Sequence, residues 1–487
     1  MERSAGPVGV TAAGKVRGAV QDGITRFLGV PFAAAPEGPL RFRSPVPAPH
    51  WDGVRDAVAF GAAPPQVAPT PRAPSMWRPG DGLDCLTVNV WTPAPCSAGL
   101  PVMVWIYGGL WKHGAASMPH YDGATLAASG VVVVTFNYRV GFEGFGHLPG
   151  TEDNRGLRDQ IAALEWVAQN IAAFGGDAAN VTLFGQSAGA ASIALLMGAP
   201  AARGLFRRAI AQSIPAGVRT VAEAEAVTTT IARAAGIPAT REAFAAAPPE
   251  TVLAVQDEPL RERDGLTAFA PVVDGDLVTG PVWAALREGA GQDVELVCGF
   301  THEEFRGQGA PPPPDVDLAV VAEAIGLEKQ SADDYRRAHP HLSDPDLFTV
   351  MLSDALVRMP TTWVAEAHAR SGGRTWLYDF AWQGPTLGAA HGVDIPFVFG
   401  TTATRPAARL LGSPPPTECA VLSERIRTAW TSFAATGDPG WPRFTPDSPT
   451  TRVWDAPPSD VPYPLGDSRR IWQDHPRRTC PGVRSKS

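Results

Sequence analysis

Between Pro101 and Ser192 the chain alternates two kinds of hydrophobic pattern. Val102-Met103-Val104-Trp105-Ile106 and Val131-Val132-Val133-Val134-Thr135-Phe136 are unbroken apolar runs, which predict strands buried on both faces. Leu157, Ile161, Leu164, Ala168 and Ile171 then recur at spacings of four, three, four and three, one face of an α-helix. Gly175-Gly176 supplies its stop, and Val181-Thr182-Leu183-Phe184 follows as a further strand. Strand, helix, strand in that order predicts parallel pairing beneath a cover of helices, so the expected class is α/β. Pro-rich stretches at Pro64–Gly82, Pro311–Pro314 and Ser413–Pro416 read as surface loops, the middle one as the best candidate for a subdomain boundary.

Composition narrows the function classes. Hydrophobic residues make up 44% and charged residues 18% of the 487, enough for a large core. Gly 50 and Pro 49 stay below the roughly 25–30% that marks low complexity. The net charge is −8 with no basic run, which argues against nucleic acid as a partner. No apolar run approaches the roughly 18 residues that span a bilayer. The opening Met1-Glu2-Arg3-Ser4-Ala5-Gly6 lacks a basic segment followed by an apolar one, so no secretory signal is expected. Cys85, Cys96, Cys298, Cys419 and Cys480 are odd in number and contain no C-x-x-C, which argues against a disulfide scaffold or structural zinc. His339-Pro340-His341 lacks the further ligands a metal needs. The expected address is a reducing cytoplasm, with no metal and no cofactor.

Candidate chemistry begins directly after the Val181 run, at Gly185-Gln186-Ser187-Ala188-Gly189, followed by the helix-compatible Ala190–Met197. A serine on a very tight strand-to-helix turn needs minimal residues two positions to either side, where a Cβ would strike neighbouring backbone. Such a turn exposes the Ser187 hydroxyl above a helix N-terminus that favours developing negative charge. Upstream, Tyr107-Gly108-Gly109-Leu110 closes the Val102 strand, where glycines can aim N–H groups at an acyl oxygen.

The chain resembles the carboxylesterase/cholinesterase (type B) family of α/β-hydrolases along nearly all of its length. The resemblance is carried in order by Phe27-Leu28-Gly29-Val30-Pro31-Phe32-Ala33, Leu40-Arg41-Phe42, Asp84-Cys85-Leu86-Thr87-Val88-Asn89-Val90 and Val104–Gly109. It continues through Asn137-Tyr138-Arg139, Gly156–Gln160, Phe174–Asp177, the elbow, Phe433-Ala434 and Gly437-Asp438-Pro439. The resemblance implies an α/β-hydrolase fold: a large, mostly parallel central sheet covered by helices, as one domain over residues 1–487, with a helical subdomain at roughly 311–390. The family's acid lies in a Gly-x-x-x-(Asp/Glu)-Glu-Gly pattern, which here reads Gly299–Phe305 with Glu304 as the acid, Glu303 as its neighbour and Phe305 in place of the final glycine. Its histidine lies in Gly-x-x-His-Gly-x-Asp/Glu, matched by Gly388–Asp394 with His391. The order Ser187, Glu304, His391 is the α/β-hydrolase order.

By resemblance, the backbone N–H groups of Gly109, Leu110 and Ala188 form the oxyanion hole and Ser213 lies behind the triad. The implied activity is ester hydrolysis through an acyl-enzyme on a small-molecule ester, by a monomer or small homo-oligomer. Acyl or thioester transfer in biosynthesis, or a binding module that has lost catalysis, are the alternatives. Trp111, Phe142 and Trp382 are candidates for an apolar pocket wall. The chain departs from the family at several positions: Cys85 lacks its upstream disulfide partner, and the glutamate that would pair with Arg41 is missing unless Asp84 replaces it. Arg139 and Asp159 keep the second ion pair, Gln186 stands where many relatives have glutamate, and Leu110 replaces the third glycine of the oxyanion strand. A leucine there must either avoid positive φ or carry strain.

Overall fold

The computed structural model describes residues 6–69, 73, 75–95, 99–262, 267–308 and 312–473. Cys96, Cys480 and parts of the first two Pro-rich stretches therefore lie outside the described residues. The central sheet has eleven strands. In chain order they are β1 (Ala19–Gln21), β2 (Ile24–Pro31), β3 (Thr87–Thr92), β4 (Leu100–Ile106), β5 (Val132–Phe136), β6 (Gly176–Gln186), β7 (Arg208–Gln212), β8 (Glu295–Thr301), β9 (Thr375–Phe380), β10 (Thr450–Trp454) and β11 (Ser459–Pro462). Across the sheet the order is β11-β10-β9-β8-β7-β6-β4-β5-β3-β2-β1. Every pairing from β10 through β6 and β4 to β5 is parallel, and the strands toward either edge are antiparallel. A smaller three-stranded sheet, Val8–Val10, Lys15–Arg17 and Val54–Asp56, flanks it.

The predicted elements appear where the pattern set them; the Val102 and Val181 strands begin earlier than their apolar runs, and the valine strand begins one residue later, at Val132. β5 is buried at every residue, as an unbroken valine run between parallel or antiparallel neighbours requires. The predicted helix is α1 (Arg155–Asn170), prolonged by a 3-10 turn at Ile171–Phe174 and stopped at Gly175, φ 85°. Gly176 then opens β6, five residues earlier than the apolar run suggested. After the elbow comes α2 (Ala188–Gly198), apolar on all sides and buried over almost its whole length against β6 and β7. Helices at Leu318–Ala324, Ser331–Ala338, Asp344–Ser353 and Met359–Arg370 fill the long connection from β8 to β9. Within the expected 311–390 subdomain, Thr375–Phe380 returns to the central sheet, and the helices' apolar faces join the same continuous core.

The parallel strands share one direction, so their carboxyl ends form one edge. Ser187 follows β6, Glu304 follows β8, His391 lies between β9 and the helix α3 (Ile395–Phe399), and Gly109 follows β4. No helix among the described residues is long and apolar enough to cross a membrane.

Candidate active site

The elbow is strained where the sequence required. Ser187 sits at φ 58°, ψ −125°, a conformation side chains rarely take, between the last residue of β6 and the first of α2. The two glycines answer to one obstacle. A Cβ on Gly185 would come within 2.6 Å of the Ile106 carbonyl oxygen, and one on Gly189 within 2.0 Å of the same atom. The Ser187 N–H donates to the Gln212 carbonyl at 2.8 Å, tying the turn to β7.

The structure brings Glu304 and His391 together. His391 Nδ1 hydrogen-bonds Glu304 Oε2, and Glu304 Oε1 accepts the Thr301 N–H at 2.8 Å, so the buried carboxylate is held from both sides. Burial pulls the imidazole's proton affinity down, but the charge and hydrogen bond of Glu304 outweigh it and hold His391 above its ordinary pKa. Glu303 is more than a bystander. Its Oε2 accepts the Ala389 N–H at 3.1 Å and its own N–H donates to the Ala389 carbonyl at 2.9 Å, so it pins the loop that carries His391. Asp394, three residues beyond the histidine, is buried, accepts from Gln212 Nε2 at 2.7 Å, and leaves its other oxygen without a partner. Its carboxyl is pushed up to about 6 by burial and by the nearby Glu304, against the donor from Gln212.

Among the described residues Ser187 Oγ forms no hydrogen bond with the imidazole. Gln186 Nε2 instead lies 3.0 Å from His391 Nε2. Gln186 was visible in the sequence only as a departure from glutamate, with no sign of this contact.

The strand-end glycines bring the Gly108–Leu110 loop against Ser187. A Cβ on Gly108 would stand 2.9 Å from the Ser187 Cβ and 2.6 Å from the Gln186 carbonyl oxygen. Tyr107 and Tyr138 lock the strand end by stacking at 4.4 Å and exchanging hydroxyl-to-carbonyl bonds. Gly109 and Leu110 donate their N–H groups to no backbone carbonyl among the described residues, and Ala188 opens α2, whose first N–H groups have no intrahelical acceptor. Leu110 does not avoid the left-handed region: it sits at φ 59°, and Trp111 follows at 53°. Trp111 Nε1 donates to Ser192 Oγ at 3.1 Å, which in turn donates to the Ala188 carbonyl at 2.8 Å. That chain couples the loop to the first turn of α2, and no sequence signal marked Ser192.

Several expectations need correcting or completing. Arg41 does not turn to Asp84, which is exposed; it pairs with buried Glu143, Nε to Oε1 at 3.1 Å and Nη2 to Oε1 at 2.5 Å. Its other nitrogen reaches the Ala245 and Ala247 carbonyls. Arg139 and Asp159 form the bidentate buried pair that was expected, at 2.8 and 2.6 Å. Cys85 is buried and unpaired, as are Cys298 and Cys419. Ser213 is buried at the end of β7, at φ 59°, but its Oγ has no hydrogen-bond partner and reaches neither Glu304 nor His391. Trp111, Phe142 and Trp382 are core residues: Phe142 stacks on Phe244 at 4.4 Å and Trp382 packs edge-on against Phe397.

The sequence model of the Carboxylesterase family matches residues 5–319 and 318–460. The chain is 35% identical over 466 residues to the para-nitrobenzyl esterase of Bacillus subtilis (strain 168), covering 92% of this chain and 94% of that one. It is likewise 35% identical over 474 residues to the phenmedipham hydrolase of Pseudarthrobacter oxydans, at 92% and 94% coverage. Among solved structures, a Geobacillus stearothermophilus carboxylesterase superposes with a TM-score of 0.85 at 34% identity, covering 96% of this chain and all of that one.

Proposed function

Because this chain belongs to the carboxylesterase family and is a carboxylic ester hydrolase, we propose that it works through an acyl-enzyme formed on Ser187, with His391 as the base and Glu304 as its anchor. The observation that carries the assignment is a strained serine at φ 58° on the same sheet edge as a partly exposed His391 hydrogen-bonded to a buried Glu304. Attack by Ser187 Oγ on the ester carbonyl passes the hydroxyl proton to His391 Nε2. Glu304 fixes the Nδ1–H tautomer and stabilises the imidazolium. The N–H groups of Gly109, Leu110 and Ala188 receive the oxyanion, each such donor contributing about 3–4 kcal/mol to lowering the barrier. The imidazolium then protonates the leaving alcohol, and water repeats the sequence on the acyl-enzyme.

The substrate class is a small-molecule ester. Residues 1–487 form one catalytic domain in this reading, with the helical connection near 311–390 as an excursion from it, and Ser213 lies behind the triad without a hydrogen bond to it. Unpaired buried Cys85, Cys298 and Cys419 support a reducing, cytoplasmic compartment, and a monomer or small homo-oligomer suffices for the chemistry. The test is pre-steady-state release of p-nitrophenol from a p-nitrophenyl ester. A burst stoichiometric with enzyme, absent in Ser187→Ala, is expected; a burst that survives Ser187→Ala overturns the assignment.

A further inference from the structure

The nitrogen that must take the serine proton already has a partner. Gln186 Nε2 stands 3.0 Å from His391 Nε2, while Glu304 binds the ring at Nδ1. With the ring proton at Nδ1, the neutral imidazole presents a lone pair at Nε2, and the contact has one consistent polarity: the amide N–H donates and the ring accepts. Ser187, the next residue along, must donate to that same lone pair to be activated. Neighbours in sequence therefore compete for one atom.

Gln186 is buried at the end of β6, with its Oε1 3.1 Å from where a Gly108 Cβ would stand and its Nε2 3.7 Å from where a Gly392 Cβ would stand. It thus fills the gap between the oxyanion loop and the histidine loop.

We propose that Gln186 is a positioning residue that holds His391 as the neutral base, so that the enzyme keeps its activity at a lower pH than a carboxylate at this position would allow. This rests on the triad reading above. A donor aimed at the lone pair stabilises the neutral ring; once Nε2 is protonated, N–H faces N–H and the bond is lost. A glutamate of the same size would do the opposite, accepting from the imidazolium and adding a negative charge beside it. The other charged groups around the ring all act in that opposite sense: Glu304 from the loop after β8 and Asp394 from its own segment both favour the imidazolium. Tyr378 on β9 is a buried phenol that stays neutral, held well above its usual pKa. The β6 and β7 side contributes only amides, Gln186 on the ring and Gln212 on Asp394. Among the described residues, Gln186 is thus the one side chain hydrogen-bonded to the imidazole that opposes the two carboxylates.

The test is kcat/KM against pH for wild type, Gln186→Leu and Gln186→Glu with an uncharged ester, together with the pH dependence of Ser187 labelling by a fluorophosphonate. The midpoint of the acid limb should rise in both variants: by about half to one pH unit in Gln186→Leu, the equivalent of one ordinary hydrogen bond, and by about one unit or more beyond wild type in Gln186→Glu. The order glutamine, leucine, glutamate is the signature, because a purely structural role would lower activity at every pH without moving the midpoint. If Gln186→Leu does not fold, the isosteric glutamate decides. Unmoved midpoints, or a glutamate midpoint below that of wild type, overturn the proposal. A wild-type profile with no acid limb at all would instead overturn His391 as the base.

Discussion

Leu110 is the residue where strain, architecture and specificity can be separated in one experiment. It occupies φ 59° in the oxyanion loop, where glycine would be at ease. A leucine in that region costs about 1–2 kcal/mol relative to a relaxed backbone. Leu110→Gly removes the strain but adds chain flexibility worth about 0.5–1 kcal/mol. The net change in stability should therefore lie within about 1 kcal/mol, a shift of a few degrees at most in the melting temperature. The N–H at position 110 is retained, as is the carbonyl that accepts from Thr267 Oγ1 at 3.3 Å, so the proposed hole keeps this donor. What disappears is a half-buried, branched side chain, which in the proposed mechanism stands beside the scissile carbonyl. One such steric difference is worth about 1–3 kcal/mol of discrimination. The variant should thus raise the ratio of kcat/KM for a tert-butyl ester over the ethyl ester of the same acid by about tenfold or more. Steady-state kinetics on the two esters, with melting curves to establish folding, measure both parts. A folded variant with the wild-type ratio would show that the leucine does not shape the pocket and that the argument from its backbone is wrong.

The remaining predictions follow from the buried charges. Glu304→Gln should lose most of kcat/KM, whereas Glu303→Gln, which keeps an acceptor for the Ala389 N–H, should lose less than about tenfold; the reverse order would reassign the acid. Glu143→Ala leaves Arg41 buried without its carboxylate and should cost about 3–5 kcal/mol in urea unfolding, while Asp84→Ala changes it by less than about 0.5 kcal/mol. Asp394, raised to about 6, contributes stability that is present below its unfolded value of 3.8 and is lost as pH rises through about 6. Asp394→Asn should therefore unfold at a higher urea concentration than wild type at pH 8, by up to about 3 kcal/mol, and match it near pH 4. A larger gain at pH 4 than at pH 8 would reverse the assigned sign.

Local patterns carried a great deal here. The valine runs, the helix at 157–171 and the elbow were legible because each depends on residues within one or two turns of each other. Solvent is excluded from both faces of a parallel strand, and only glycine survives beside the Ile106 carbonyl. The proposed acid and histidine could be picked out only through the resemblance, since nothing in Glu303-Glu304 alone separates a carboxylate that bonds an imidazole from one that pins a loop.

The tertiary structure decided whatever depends on which groups meet across the sheet. Arg41 finds Glu143 rather than Asp84 because the chain folds position 143 beneath it, 102 residues away in sequence. Trp111, Phe142 and Trp382 lie in the core because their neighbours bury them; periodicity does not tell a pocket wall from packing. Gln186 reads in sequence as one missing charge. Only when β6 and the loop after β9 come side by side does its amide fall on the imidazole nitrogen, because hydrogen bonds are set by distance in space and the sequence separates these two residues by 205 positions.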